Sequence, residues 1–134
     1  MFKITKTFAF EAAHYLKNTA NEGCKNVHGH SYKFKLVLCK PELDLYSMVV
    51  DFTVVGRIVK SVVLDNLDHR MLVPAEAKQV PSQFIVVMPP QPTAEVIAKW
   101  IYDRLKEYLP LLESVEVWET ETSSAIYVGE EDSV

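Results

Sequence analysis

Two long segments of apolar–polar alternation, each with histidine at one end, restrict this chain more than any other feature. In "MFKITKTFAFEAAH", Phe2, Ile4, Phe8, Phe10, Ala12 and His14 share one parity, while Lys3, Thr5, Thr7 and Glu11 take the other. A period of two over that length marks a half-buried strand. In the second segment His28, His30, Tyr32, Phe34, Leu36 and Leu38 lie on one face, opposite Lys33 and Lys35. If the two pair antiparallel, the 13-residue connection from Tyr15 to Val27 brings their facing ends together. His14 then ends one strand where His28 and His30 begin the next.

The remaining pattern supplies layers to cover that pair. Between Thr53 and about Asp65, apolar pairs at Val54/Val55, Ile58/Val59 and Val62/Val63 recur every four residues. That recurrence predicts a helix despite the β-branched composition, with Asp51 or Thr53 as its cap. "QFIVVM" (Gln83 to Met88) reads as a short strand before Pro89-Pro90. A second helix is predicted from about Thr93 to Leu109, with a stripe at Ile97, Trp100, Ile101, Leu105 and Leu109, stopped by Pro110. "SVEVWET" and "SSAIYVG" close the chain as strands, and "EEDSV" reads as a frayed tail. The expected class is α+β, an antiparallel sheet with two helices on one face, in a single domain over residues 1–134.

Bulk properties exclude some functions. A formal net charge of −4 argues against nucleic acid as the main partner, because a phosphate backbone wants a basic face. No apolar run approaches the ~20 residues of a membrane span, and the alternating N-terminal segment lacks a signal peptide's apolar block. Two cysteines are a thin disulfide framework, so free thiols in a reducing cytoplasm are expected. Cys39, in an apolar strand, reads as a small buried hydrophobe.

Residues i and i+2 of a strand point the same way, which lets the His28–His30 pair grip one ion. With His14 they make three imidazoles and no fourth protein ligand, the donor set of a catalytic zinc site with an open position. The plain alternative is a polar strand end. Cys24, in "GCKNVHGH", admits three readings: a fourth ligand, a thiol activated by the neighbouring cation, or an incidental loop cysteine. Asp68 precedes His69, and a carboxylate that orients an imidazole makes a general base or acid; otherwise the two are a polar loop. Glu119 shares the parity of Val115 and Val117, so it points into shelter and needs a partner. That partner is either an arginine such as Arg57 or Arg104, or a ligand with paired N–H donors.

"FEAAH", "VHGHSYK" after Cys24, "VVDF", "LDHRML", "PTAEVIA" and "WETETSSAIY" occur in order across nearly the whole chain. This ordered set resembles the 6-pyruvoyltetrahydropterin synthase family, and within it the 6-carboxytetrahydropterin synthase branch of queuosine (7-deazaguanine) biosynthesis. The three-residue gap between Cys24 and His28 is similar to that branch, whereas Val73 and Val96 depart from the family's usual Asn at both places. The resemblance implies a T-fold, a four-stranded antiparallel sheet with two helices, assembled through trimers into a barrel-like homohexamer with active sites between subunits. It implies Zn2+ on His14, His28 and His30, a catalytic thiol at Cys24 and a partner dyad of Asp68 and His69. Glu119 is implied as the anchor of a pterin ring. The implied reaction converts 7,8-dihydroneopterin triphosphate to 6-carboxy-5,6,7,8-tetrahydropterin, acetaldehyde and triphosphate. Lys25 and Arg70 are candidates for the triphosphate. Pyruvoyl synthesis, a side-chain cleavage feeding folate, and a non-enzymatic zinc module are the rival readings.

Overall fold

The alternation of the first two segments holds over their whole length. Strand β1 (Phe2–His14) pairs antiparallel with β2 (His28–Lys40), in a register running from Phe2↔Lys40 to His14↔His28. The computed structural model describes residues 1–75 and 83–130. Most of the tail expected from "EEDSV" lies outside them, as do residues 76–82.

Strand β5 (Leu112–Thr120) pairs antiparallel with β2, and β6 (Ser123–Val128) with β5. These four strands are the expected antiparallel sheet. Two short strands extend it at the β1 edge: β3 (Arg70–Val73) runs parallel to β1, and β4 (Ile85–Val87) runs parallel to β3. The whole is a mixed sheet of order β4-β3-β1-β2-β5-β6. "RMLV" is too short to show a period, so β3 escapes a reading based on alternation.

The first predicted helix is present in three pieces. Asp51 caps α1 (Phe52–Val59) by accepting from the Thr53 N–H at 2.8 Å. A π-helical turn (Lys60–Leu64) and a short α2 (Asp65–Leu67) continue it. The Asn66 amide donates to the carbonyls of Ser61 (3.3 Å) and Val62 (2.9 Å), groups at the widened turn. Val55, Val59, Val63 and Leu67 stay on one buried stripe through all three pieces. Helix α3 (Ala94–Lys106) is capped by Thr93, which accepts from Val96 N, and its last turn carries Arg104 and Lys106.

Both helical segments cover the same sheet face. Phe10, Tyr32, Phe34, Leu36, Leu38, Val115 and Val117 form one buried cluster with Val55, Val59, Val63, Ile97, Ile101 and Leu105. Cross-strand aromatic pairs fix the β1–β2 register: Phe8 stacks on Phe34 at 5.3 Å and Phe10 on Tyr32 at 5.0 Å. Each such side chain contributes about 1.5–3 kcal/mol through burial, so Phe34→Ala is the kind of single change that would loosen the sheet. Cys39 does not belong to this core. Its odd parity puts it on the uncovered face, partly exposed beside Lys3 and Glu113, and not buried as its apolar neighbours suggested. Among the described residues no helix is long and apolar enough to cross a membrane.

Candidate active site

The site grows from the end of the β1–β2 ladder. His14 and His28 face each other in register, and His30 follows one pleat along β2. Their rings meet edge to face, with centroids 4.5–5.0 Å apart. One nitrogen from each lies within 4.8 Å of the others, and this group contains neither Cys24 nor the Asp68–His69 pair.

Hydrogen bonding fixes which nitrogens are available. His14 Nδ1 lies 2.8 Å from the Pro92 carbonyl, and His28 Nδ1 lies 2.8 Å from the Asn26 carbonyl. A carbonyl can only accept, so both Nδ1 atoms carry a proton, and in the neutral rings both Nε2 atoms present a lone pair. Those lone pairs face each other at 2.9 Å. Glu119 Oε1 adds a third acceptor, 3.3 Å from His14 Nε2 and 3.8 Å from His30 Nε2. An acceptor-only cluster of this kind is repulsive until a cation enters it.

A proton is poorly suited to that role. His14 is buried, and burial chiefly holds its pKa below the ordinary value. The Pro92 carbonyl and Glu119 oppose the shift, while His28 and His30 reinforce it. Burial also lowers the pKa of His30, again against Glu119. Neutral imidazoles with their second nitrogens tied to backbone carbonyls are what a metal ion requires. Ligands at ~2.0–2.1 Å from a tetrahedral ion stand about 3.3 Å apart; the His14 and His28 nitrogens are 2.9 Å apart, and all three histidines fall within 4.8 Å. The residues present therefore fit a metal ion.

The two added strands explain how the cluster is supported. β4 leads into the segment carrying Pro92, whose carbonyl holds His14. β3 starts from the Asp68–His69 pair, which is pinned to β1. Asp68 Oδ1 accepts from Glu11 N at 2.9 Å, and His69 N donates to the Glu11 carbonyl at 2.6 Å. Asp68 Oδ2 lies 3.1 Å from His69 Nδ1, so the expected dyad is formed. The Glu11 N–H, and then His69, lower the Asp68 pKa and keep it ionised. His69 adopts a φ of 60°, a strained value for a residue with a Cβ. His69 lines a 440 Å³ cavity with Glu11, Ala13, Gly29, Ser31 and Arg70, and Ala12 and His30 border it too.

Cys24 lies partly exposed in a 3-10 turn (Glu22–Lys25). Its carbonyl accepts from Leu16 N at 2.8 Å, which ties the turn to the end of β1 two residues past His14. Glu119 sits at a bulge: Trp118 pairs with Ser124 and Thr120 with Ser123, leaving Glu119 without a ladder partner. Bulges commonly re-aim side chains beside functional sites. Among the described residues Glu119 faces the rings of His14 and His30, not Arg57 or Arg104. Arg104 lies 3.7 Å from the centre of the Trp100 ring. Lys25 pairs with Glu22 at 3.0 Å, and Arg70 donates to the Asp65 carbonyl at 3.3 Å.

Sequence reasoning missed three participants. The carbonyls of Pro92 and Asn26 leave no trace in residue identity. Tyr32 is fully buried against His14 and His30, and among the described residues its hydroxyl has no hydrogen-bond partner. Burial, with the charge of Glu119 acting the same way, raises its pKa well above the ordinary value, so it is a neutral donor. Its polarity within an apolar stripe was the available signal.

Comparison with known proteins bears on the whole of this arrangement. A protein of Haemophilus influenzae named 6-carboxy-5,6,7,8-tetrahydropterin synthase is 36% identical, over 95% of this chain and 99% of its own length. Proteins of the same name from Synechocystis (37%; 95% of this chain, 93% of the relative) and Bacillus subtilis (33%; 94% and 84%) agree. The crystal structure of an uncharacterised Wolinella succinogenes protein superposes with a TM-score of 0.78 at 24% identity, covering 96% of this chain and 98% of the other. Caenorhabditis elegans 6-pyruvoyl tetrahydropterin synthase superposes with a TM-score of 0.73 at 26% identity, covering 96% of each chain. The fold is thus the T-fold of these proteins. With the family model for 6-pyruvoyl tetrahydropterin synthase matching residues 3–130, the chain belongs to that family.

Proposed function

We propose that this chain is a zinc-dependent carbon–carbon lyase of the cytoplasm that acts in queuosine (7-deazaguanine) biosynthesis. It converts 7,8-dihydroneopterin triphosphate to 6-carboxy-5,6,7,8-tetrahydropterin, acetaldehyde and triphosphate. The observation that carries this reading is the convergence of one ring nitrogen each from His14, His28 and His30 within 4.8 Å of one another, with the second nitrogens of His14 and His28 on backbone carbonyls. The relatives' shared name supports the product.

His14, His28 and His30 hold the ion, with Pro92 and Asn26 orienting two of the rings. Bound zinc supplies Lewis acidity to the side-chain oxygens of the substrate. The Cys24 thiolate takes a proton from the substrate side chain, on a turn fastened to β1 through Leu16. His69, oriented by ionised Asp68, returns or removes the complementary proton. Glu119 accepts from the ring N–H and amino group of the pterin, which fixes the side chain relative to the ion.

His69 and His30 border one open cavity, and a second copy of the chain completes the site there in a homohexamer built as a dimer of trimers. Mixing two inactive variants, His28→Ala and Asp68→Asn, under conditions that exchange subunits then restores part of the turnover. The function itself is tested by incubating zinc-loaded protein with 7,8-dihydroneopterin triphosphate and identifying products by mass. A 6-carboxy product with acetaldehyde is expected. A pyruvoyl product would replace the assigned reaction, and intact substrate beside fully loaded protein would leave only a zinc-binding module.

A further inference from the structure

No residue from Tyr15 to Val27 is buried, so packing does not decide where the connection that carries Cys24 sits. Its own hydrogen bonds give it a shape without giving it a place. The Leu16 N–H donates to the Cys24 carbonyl at 2.8 Å, and the Cys24 N–H to the Asn21 carbonyl at 3.1 Å. The Asn21 side chain accepts from the Gly23 N–H at 3.0 Å. All of these partners belong to the connection itself. A thiol on such a loop can be well formed and still be poorly placed relative to three histidines held in a sheet.

Gln91 supplies a hold from outside. Its side-chain Oε1 accepts from the Lys17 N–H at 3.0 Å and from the Asn18 N–H at 3.1 Å, and its Nε2 donates to the Asn18 carbonyl at 3.0 Å. Both lone pairs of the oxygen are used. The reversed amide would set an NH2 group against two donors, so the network itself fixes the orientation. The residue is also stiff at its own root. Pro89, Pro90 and Pro92 restrict the backbone on either side of it, and its carbonyl accepts at 2.9 Å from the N–H of Thr93, the cap of α3. The next residue, Pro92, presents the carbonyl that lies 2.8 Å from His14 Nδ1. One short segment therefore holds His14 with its backbone and the Cys24 loop with a side chain.

We propose that Gln91 is a positioning residue: through the backbone of Lys17 and Asn18 it fixes the turn that carries Cys24 relative to the histidine cluster. Lys17 and Asn18 directly follow Leu16, whose N–H ties the Cys24 carbonyl to the end of β1. Loss of the clamp therefore loosens that tie first. Gln91 does not touch substrate; its effect on turnover rests on the catalytic reading of Cys24, whereas the clamp stands on its three hydrogen bonds.

The test compares zinc-loaded wild type with Gln91→Ala and Gln91→Glu by amide hydrogen exchange, zinc content, and kcat and KM for 7,8-dihydroneopterin triphosphate. In Gln91→Ala the Lys17 and Asn18 amides should lose protection, and the Leu16 amide should follow. Zinc content should stay at the wild-type level, because the Pro92 carbonyl is unaltered. Turnover should fall on the order of tenfold to a hundredfold, the range that misplacement of a reacting group produces, while KM hardly changes. Gln91→Glu keeps an oxygen for both N–H groups but sets its other oxygen against the Asn18 carbonyl, so it should fall between. Undiminished protection of Lys17 and Asn18 in Gln91→Ala overturns the clamp. Free exchange there with Leu16 protection and kcat unchanged shows that the turn is placed by other groups, and overturns the positioning role. Zinc loss in step with kcat assigns the effect to His14 and overturns it too, as does a raised KM with kcat intact. If wild type does not turn the substrate over at all, the lyase reading fails, and the Leu16 amide still decides whether Gln91 holds the turn.

Discussion

Replacing Asp68 with Asn changes one atom of the dyad, and the surrounding donors determine how His69 responds. Asp68 Oδ1 accepts from Glu11 N at 2.9 Å, and Oδ2 faces His69 Nδ1 at 3.1 Å. The Glu11 N–H is a fixed donor, so the amide oxygen of Asn takes that position and its NH2 turns to His69. An NH2 can only donate, which forces His69 Nδ1 to accept and moves the ring proton to Nε2. The variant holds the wrong tautomer and loses the negative charge that stabilises an imidazolium. A positioned general acid–base group contributes about 10²–10⁴ in rate. Turnover of 7,8-dihydroneopterin triphosphate should fall within that range. Stability should hardly change, because the carboxylate is 44% exposed and the backbone bond to Glu11 survives; a neutral bond there differs by no more than about 1 kcal/mol. Steady-state turnover, thermal melting and the imidazole nitrogen shifts of His69 measure the three consequences on one sample. Turnover within threefold of wild type, with the His69 tautomer shown to have switched, would refute a proton-transfer role for the dyad.

Three further outcomes are expected. His28→Ala should lose most of its zinc by metal analysis, since two imidazoles make a weak site, while its core remains folded. Tyr32→Phe removes a buried hydroxyl that has no partner among the described residues and should raise metal-free stability by roughly 1–2 kcal/mol in denaturant titration; a loss of similar size would show that the hydroxyl is paired in solution. The pKa values of His14 and His30 are lowered from 6.5 by burial, so the unfolded chain binds protons more readily than the folded one. Stability of the chelated protein should then be full above about pH 6.5 and decline as pH falls through the lowered folded values, with His14→Gln flattening the profile.

Legibility followed period and length. β1 and β2 were readable because 13 residues of alternation leave one face for the core, and a one-residue slip would bury Lys33 and Lys35. The first helix was readable from its apolar pairs, although its π-helical turn at Lys60–Leu64 was not, because the buried stripe survives the widened turn. β4 was readable as the apolar run from Gln83 to Met88, whereas β3 is four residues long with no room for a period, and the parallel pairing of both depends on β1 already being in place. Cys39 was misread because its immediate neighbours are apolar while its parity is that of the lysines; the face decides burial, and the neighbours do not.

The site shows the same division at the level of single residues. His14, His28 and His30 could be brought together from sequence because strand parity is a geometric rule and all three obey it. Glu119 obeyed it too, yet its contact with the histidines depends on the bulge between Trp118 and Thr120, which parity alone does not predict. What parity could not supply is the hydrogen bonding that selects Nε2 over Nδ1, because it comes from backbone carbonyls at Pro92 and Asn26. The strand that orients the dyad and the segment that orients His14 are both attached through the β3–β4 edge, whose parallel pairing was unforeseen. Side-chain identity therefore placed the candidate ligands and acids, whereas the backbone determines which of their nitrogen and oxygen atoms are presented. A substitution that shortened or shifted β3 would leave every named side chain present and still disconnect Asp68 and His69 from the strand that carries His14.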